Sequence, residues 1–374
     1  MNEYKPYIPD EFPPENLNLE PFIRKIGEAN RGIALFDGIL RGLLNPDILL
    51  APLTTNEAVL SSRIEGTQAT FEDVIQEEAG MYPKDISDSE REDRKEVLNY
   101  KKALIYGAEE VKRRPLSLSL IKELQKILLM DVRGKNSLTG EFRKTQNWIG
   151  IPGTPINRAT FIPPDPIILP EHLEHWEAFL KKDDYPDTII QLGLLHGQFE
   201  ILHPFEDGNG RVGRLIMPLF LYWKGLLSQP AFYLSEYFEK NRSEYYDRLL
   251  LITQQNDWDG WINFFLTAVI EQANENINKA QKLLDLYTEM KDKFIQATRS
   301  QYAIPALDAF FKQPIITATQ FKEAIGAPTR SSSNDILKML EKAKLIRLYE
   351  KPDGRKPAKY GFVKLLKILK ENNA

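Results

Sequence analysis

The sequence predicts a mainly α-helical protein. A helical bundle interrupted by one β-hairpin is preceded by an N-terminal helical region and followed by a small module of helices and a hairpin. Three observations lead there. Apolar residues recur every three to four positions, as in Val97, Tyr100, Leu104, Ala108 and Val111, the period of a half-buried helix. Two apolar runs, Thr188–Leu202 and Val212–Trp223, flank a short polar segment, so they read as two helices joined by a tight loop. Turn-rich sequence of hairpin type occurs in residues 138–164 and again in 346–360.

In chain order, residues 1 to about 20 read as extended and Pro21–Gly80 as amphipathic helices. Within that stretch Leu53–Gly66 predicts a helix, with a capping box at Thr54 and Glu57 and a stop at Gly66. Helical spacing follows in Glu92–Arg113 and in Ser117–Met130, where Ser117 is a natural cap. Leu138–Gly150 and Thr160–Pro164 predict a hairpin with a long, turn-rich loop, and a free hairpin edge can accept an extended peptide. Leu169–Leu180, the two helices of the polar loop, Asn241–Leu251 and Trp258 to about Gln296 complete the core. The last is long and polar enough to suggest a break. The tail reads as helices at Ile304–Phe311, Thr319–Ile325 and Ser333–Ala343, then a hairpin at Ile346–Tyr360. This gives an N-terminal region (1–90), a core (91–300) and a C-terminal module (301–374).

The loop is His203-Pro204-Phe205-Glu206-Asp207-Gly208-Asn209-Gly210-Arg211-Val212-Gly213-Arg214. N–H groups at a helix start lack intrahelical partners, and the dipole there favours negative charge. Gly208 and Gly210 let the backbone curl around an anion. Arg211 and Arg214 are one turn apart and can offer guanidinium forks to phosphate oxygens. Asp207 is a hard ligand of the kind Mg²⁺ uses beside substrate phosphates. His203, with an ordinary pKa of about 6.5, can accept a proton at neutral pH. Cradle, metal ligand and base together point to attack of a hydroxyl on a nucleotide phosphate. No GxxxxGK[ST] occurs.

This run resembles the Fic family signature HPFx[DE]GNGRxxR, with Glu206 at the free position between Phe205 and Asp207. The resemblance implies transfer of a nucleotide moiety, most often AMP from ATP, to a Ser, Thr or Tyr hydroxyl of a protein. His203 would then be the base, Phe205 the loop's anchor and Asp207 the Mg²⁺ ligand. Gly208, Asn209 and Gly210 would bind the α- and β-phosphates with Arg211 assisting, and Arg214 would reach the γ-phosphate. The segment Leu138–Gly150 is similar to the family's flap. Ser61-Ser62-Arg63-Ile64-Glu65-Gly66 fits the inhibitory pattern [ST]xxxE[GN]. Ser61 and Glu65 share a helix face, so Glu65 would pair with Arg214 and stand where the γ-phosphate belongs. The class implied is one inhibited in cis by an N-terminal helix, here at about 53–66. The same carboxylate could align a water, which makes removal of AMP an alternative activity.

The tail resembles a winged helix-turn-helix. Residues 301–374 hold 14 Lys and Arg against 7 Asp and Glu, in a chain of net charge −4. Thr329–Lys338 would be a recognition helix and Lys351, Arg355, Lys356 and Lys359 a wing. DNA is therefore a candidate partner through 301–374, and a nucleotide-sensing DNA-binding regulator is the rival reading. His203 favours an enzyme, since a pure sensor needs no base. An unidentified target protein, self-modification and a homodimer are further expected partnerships. There is no cysteine, hence no disulfide or thiolate metal site. Met1–Asn18 lacks a signal-type apolar region, and Leu215–Trp223, the longest apolar run, is too short to span a bilayer. A cytoplasmic protein without a membrane partner is expected. His172 and His175 read as a helix surface and His196 as a hydrogen-bonded core residue.

Overall fold

The computed structural model describes residues 5–371 apart from 16, 44, 82–85, 133–137, 152 and 354–356. Helices dominate: α1 (Ile23–Arg41), α2 (Asp47–Ile64), α3 (Phe71–Glu78), α4 (Asp88–Glu110), α5 (Leu118–Leu128), α6 (Leu169–Leu180), α7 (Thr188–Leu202) and α8 (Asn209–Trp223). After them come α9 (Ser235–Lys240), α10 (Arg242–Gln255), α11 (Trp258–Thr298) and α12 (Ala303–Lys312). The remaining elements are β1 (Ile315–Thr317), α13 (Ala318–Ala324), α14 (Arg330–Lys342), β2 (Arg347–Glu350), β3 (Lys359–Gly361) and α15 (Val363–Glu371).

One compact unit is built from the chain up to Gly38, Leu60–Thr67 and Lys95–Glu275. At its centre α7 packs on α6, α8 and α10, and α8 also packs on α5. Nearly every residue of α7 is buried, as expected of a helix apolar on all sides. Two indole N–H groups reach its backbone: Trp176 donates to Leu195 O and Trp261 to Gly193 O, each at 2.8 Å. His196 bonds the Tyr245 hydroxyl at 3.0 Å inside this core, and burial pushes its imidazole down to about 3. Ser117 caps α5 by accepting from Leu120 N–H.

The second unit is built from Ile39–Val59, Gln68–Arg94 and the chain from Asn276 onward. Its antiparallel sheet has the order β1-β3-β2, with Ile316 opposite Tyr360 and Leu348 opposite Tyr360 on the other side. Phe294, Phe310, Phe311, Phe321 and Phe362 fill the core beneath it. Thr317 and Gln320 form a capping box that starts α13, and Thr329 caps α14 by accepting from Ser332 N–H.

Several expectations need correction. The helix expected at Leu53–Gly66 begins at Asp47 and carries Pro52 within it, so Thr54 and Glu57 are interior residues and no capping box exists there. The stop is where it was expected, at Gly66 with φ of 103°. α11 runs unbroken for 41 residues. The hairpin at 138–164 pairs at one antiparallel bridge, Ile149–Phe161. Pro155, Pro163 and Pro164 have no N–H to extend it. Lys359 does not face solvent on a wing: it is 4% exposed and donates to Glu350 and to Gly80 O. Arg355 and Lys356 lie outside the described residues, and Lys351 is exposed.

Candidate active site

The loop between α7 and α8 is held from within. Asn209 is 2% exposed, and its amide accepts from Phe205 N–H and donates to Phe205 O, both at 2.8 Å. That side chain therefore shapes the loop, and only its backbone N–H remains for an anion. Phe205 is fully buried against Phe142. Gly208 sits at φ of 83°, a conformation in which a side chain is strained. The first intrahelical bond of α8 is Val212 N–H to Gly208 O. Helix geometry thus leaves the N–H groups of Asn209, Gly210 and Arg211 without intrahelical acceptors.

His203 ends α7 in the left-handed region, at φ of 45° and ψ of 60°, which costs a non-glycine residue about 1–2 kcal/mol. Its Nδ1 lies 3.3 Å from Glu200 O. A carbonyl can only accept, so Nδ1 carries the hydrogen and Nε2 keeps its lone pair. Burial, with a smaller contribution from Arg143, pushes the imidazole down to about 4. The ring is neutral at pH 7.

Glu65 and Ser61 meet at Arg214. The guanidinium donates through Nε to Ser61 Oγ at 2.9 Å and through Nη2 to Ser61 O at 2.9 Å and Glu65 Oε1 at 2.6 Å. An added Cβ at Gly210 would lie 2.2 Å from the same Glu65 oxygen. A carboxylate is therefore laid against the first turn of α8, the place where helix geometry favours an anion. Burial alone would raise the Glu65 pKa, but Arg214 outweighs it and the net shift is downward. Burial likewise lowers that of Arg214, and Glu65 brings it above the usual value. Arg242 fixes the motif's backbone by donating to Ile64 O at 2.5 Å.

Arg211 is engaged differently. Its Nη1 is 2.8 Å from Glu96 Oε2, both side chains being buried, and its Nη2 is 3.5 Å from Asp207 Oδ1. Asp207 is half exposed, and its Oδ1 also accepts from Gly208 N–H at 2.6 Å. Among the described residues no cluster of three or more His, Cys, Asp or Glu could hold a metal. A single exposed carboxylate fits Mg²⁺ held mainly by phosphates and water.

Four contributors escaped the sequence reading. Glu96 pairs with Arg211 from α4. Gln125 accepts from Gly140 N–H and donates to Asp207 O. Arg143 binds the end of α7. Glu200 has a buried Oε1 that would lie 2.3 Å from a Cβ at Gly213, and burial drives its carboxyl up to about 8. Only Arg143 lay in a segment already singled out for a functional role rather than as a helix.

The fold and loop thus define a helical protein with an anion cradle, a neutral histidine and an internal carboxylate. The profile of the Fic/DOC family N-terminal region matches residues 23–109, and that of the Fic/DOC family matches 115–221. The chain belongs to the Fic/DOC family. A probable protein adenylyltransferase of Aquifex aeolicus is 37% identical over 70 residues, 19% of this chain and 22% of that one. The protein adenylyltransferase Fic of Drosophila grimshawi is 28% identical over 196 residues, 51% of this chain and 34% of that one. The chain thus spans between a fifth and about a third of the length of these curated relatives. A Fic family protein from Desulfovibrio desulfuricans G20 superposes with a TM-score of 0.60 at 19% identity, covering 96% of this chain and 98% of that one. A Fic domain containing signaling protein from Bacteroides thetaiotaomicron gives 0.54 at 19% identity, over 69% of this chain and 97% of that one. At such identity the likeness is one of fold. No described helix is long and apolar enough to cross a membrane.

Proposed function

We propose that the protein is an adenylyltransferase that moves AMP from ATP to a Ser, Thr or Tyr hydroxyl of a target protein, and that Glu65 restrains it. The observation carrying this reading is the Glu65 carboxylate held on Arg214 over Gly210. The site already accommodates an anion where the γ-phosphate of ATP would have to lie. In the proposed reaction the hydroxyl oxygen bonds to the α-phosphorus, the bond to the bridging oxygen breaks, and pyrophosphate leaves. The hydroxyl proton goes to His203 Nε2. The N–H groups of Asn209, Gly210 and Arg211 face the phosphates, and Arg214 takes the γ-phosphate once Glu65 withdraws. Asp207 would hold Mg²⁺, which would neutralise phosphate charge when bound. Arg214 is 1% exposed and the Glu65 side chain 34%. The carboxylate is thus the partner able to leave toward solvent.

A second activity rests on one further observation. Glu65 Oε1 is committed to Arg214, while among the described residues no hydrogen bond reaches Oε2. That oxygen can orient a water for removal of AMP from a modified protein. Incubation of wild type, Glu65→Gly and His203→Ala with labelled ATP and a lysate tests transfer, self-modification included. Incubation with the modified protein tests release. Absence of label in both wild type and Glu65→Gly would contradict the transferase reading.

The order α12-β1-α13-α14-β2-β3 supports reading the C-terminal module as a winged helix that serves targeting or assembly, a homodimer included. Exposed Arg330, Lys338 and Lys342 on α14 keep duplex DNA as its alternative partner. A chain without cysteine suits the reducing cytoplasm.

A further inference from the structure

Arg143 is a buried cation whose side-chain hydrogen bonds all go to backbone carbonyls. It is 3% exposed. Its Nε donates to His203 O at 2.9 Å and its Nη1 to Thr145 O at 3.3 Å. Its Nη2 donates to Pro164 O at 2.5 Å and to Leu202 O at 3.3 Å. The backbone joins in, with Arg143 N–H donating to Pro204 O at 2.9 Å.

The acceptors fall into two groups. Leu202 and His203 are at the C-terminal end of α7, where carbonyls lack intrahelical donors and carry the negative end of the dipole. Thr145 and Pro164 lie on the two arms of the segment joined by the Ile149–Phe161 bridge. A planar guanidinium with five donors can serve both groups at once, and a lysine ammonium with three can serve them only in part. Burial lowers the Arg143 pKa to about 10, opposed weakly by Glu206 and Asp165, so the group is still charged at pH 7.

We propose that Arg143 is a positioning residue that holds His203 in its left-handed turn and ties both arms of the flap to that turn. It sets the base and the incoming hydroxyl against each other. The phosphate cradle has separate supports, namely the Asn209–Phe205 bonds and Gln125, which links Asp207 O to Gly140 N–H at 3.1 and 2.6 Å. Loss of Arg143 therefore acts on the chemical step and leaves nucleotide binding in place.

The proposal rests on the transferase reading, and the test separates the two. Arg143→Gln and Arg143→Lys are made in the full chain carrying Glu65→Gly. The readouts are kcat, Kd for ATP, melting temperature and the NMR titration of His203. In Arg143→Gln, kcat falls about 10- to 100-fold, the loss expected of a small misplacement, while Kd for ATP stays at the parental value. Arg143→Lys recovers part of kcat. The His203 midpoint in Arg143→Gln rises above that of the Glu65→Gly parent, because a repelling cation is gone and water enters. Parental kcat in a folded variant, kcat and ATP affinity falling in step, or an unmoved His203 midpoint would each overturn the proposal. If Arg143→Gln does not fold, Arg143→Lys decides by kcat and ATP affinity alone: a lowered kcat at parental ATP affinity supports the proposal, and parental kcat overturns it. If the Glu65→Gly parent transfers no AMP, the transferase reading fails, and the His203 titration still decides for or against Arg143.

Discussion

Glu65 Oε1 lies 2.6 Å from Nη2 of Arg214, and a methyl group placed on Gly210 would meet that oxygen at 2.2 Å. The carboxylate is therefore wedged between the second arginine of the signature and the first turn of α8. Ser61 completes the clamp with its hydroxyl and its carbonyl. Motif, arginine and glycine form one device, although 145 residues separate Glu65 from Gly210.

Gly210→Ala tests that geometry through stability. The added methyl overpacks the site, which costs about 1–3 kcal/mol. The cost shrinks in a Glu65→Gly background, which removes two of the three nearest atoms and leaves Arg214 Nη1 at 2.9 Å. Urea unfolding of the four proteins of this cycle measures the coupling. Equal costs in both backgrounds would mean that Glu65 does not lie over Gly210.

His203→Ala should lower transfer about 10²- to 10⁴-fold, the usual range for a lost general base, with ATP still bound. The check is single-turnover transfer together with ATP titration. Transfer at the parental rate would remove His203 from the proposed role.

Glu96→Ala should destabilise the protein by about 3 kcal/mol, since it strands the buried Arg211 guanidinium. The half-exposed Asp207 at 3.5 Å compensates poorly. Chemical denaturation reads this directly. A loss below about 0.5 kcal/mol, the level of an ordinary surface substitution, would show that the pair is not a buried one in solution.

Stability should respond to pH from two sides. Burial raises Glu200 from 4.5 to about 8, so between those values the folded chain binds a proton that the unfolded chain has lost. Stability from this group falls as pH rises through that window, and Glu200→Gln abolishes the slope. Burial lowers His203 from 6.5 to about 4 and His196 to about 3. The unfolded chain then binds more protons below 6.5, and stability falls as pH drops toward 3. Melting temperature against pH reads both limbs. A His203 NMR midpoint near 6.5 would contradict the second.

What the sequence made legible was local. The limits of α6 and α7, the Ser117 cap and the Gly66 stop depend on residues within a turn or two of each other. β1 is three residues long and acquires its meaning only by pairing with β3, with Ile315 opposite Gly361. The tail therefore read as a two-stranded hairpin. Thr54 and Glu57 matched a capping pattern, yet the helix had already begun at Asp47. In the site, the residues of the contiguous motif were legible, and the distant Glu65–Arg214 pair was legible through the family resemblance alone. Glu96 and Arg143 were not, because their partners are 115 and 60 residues distant in sequence, and a buried ion pair or a carbonyl-binding arginine leaves no local pattern.

The most direct test of the restraint by Glu65 is transfer of labelled AMP by wild type and Glu65→Gly side by side, with ATP affinity measured on the same samples. The account predicts a sharp rise in transfer for Glu65→Gly with little change in ATP affinity, because the substitution frees Arg214 to orient the γ-phosphate. Equal transfer by the two proteins, at equal ATP occupancy, would contradict it.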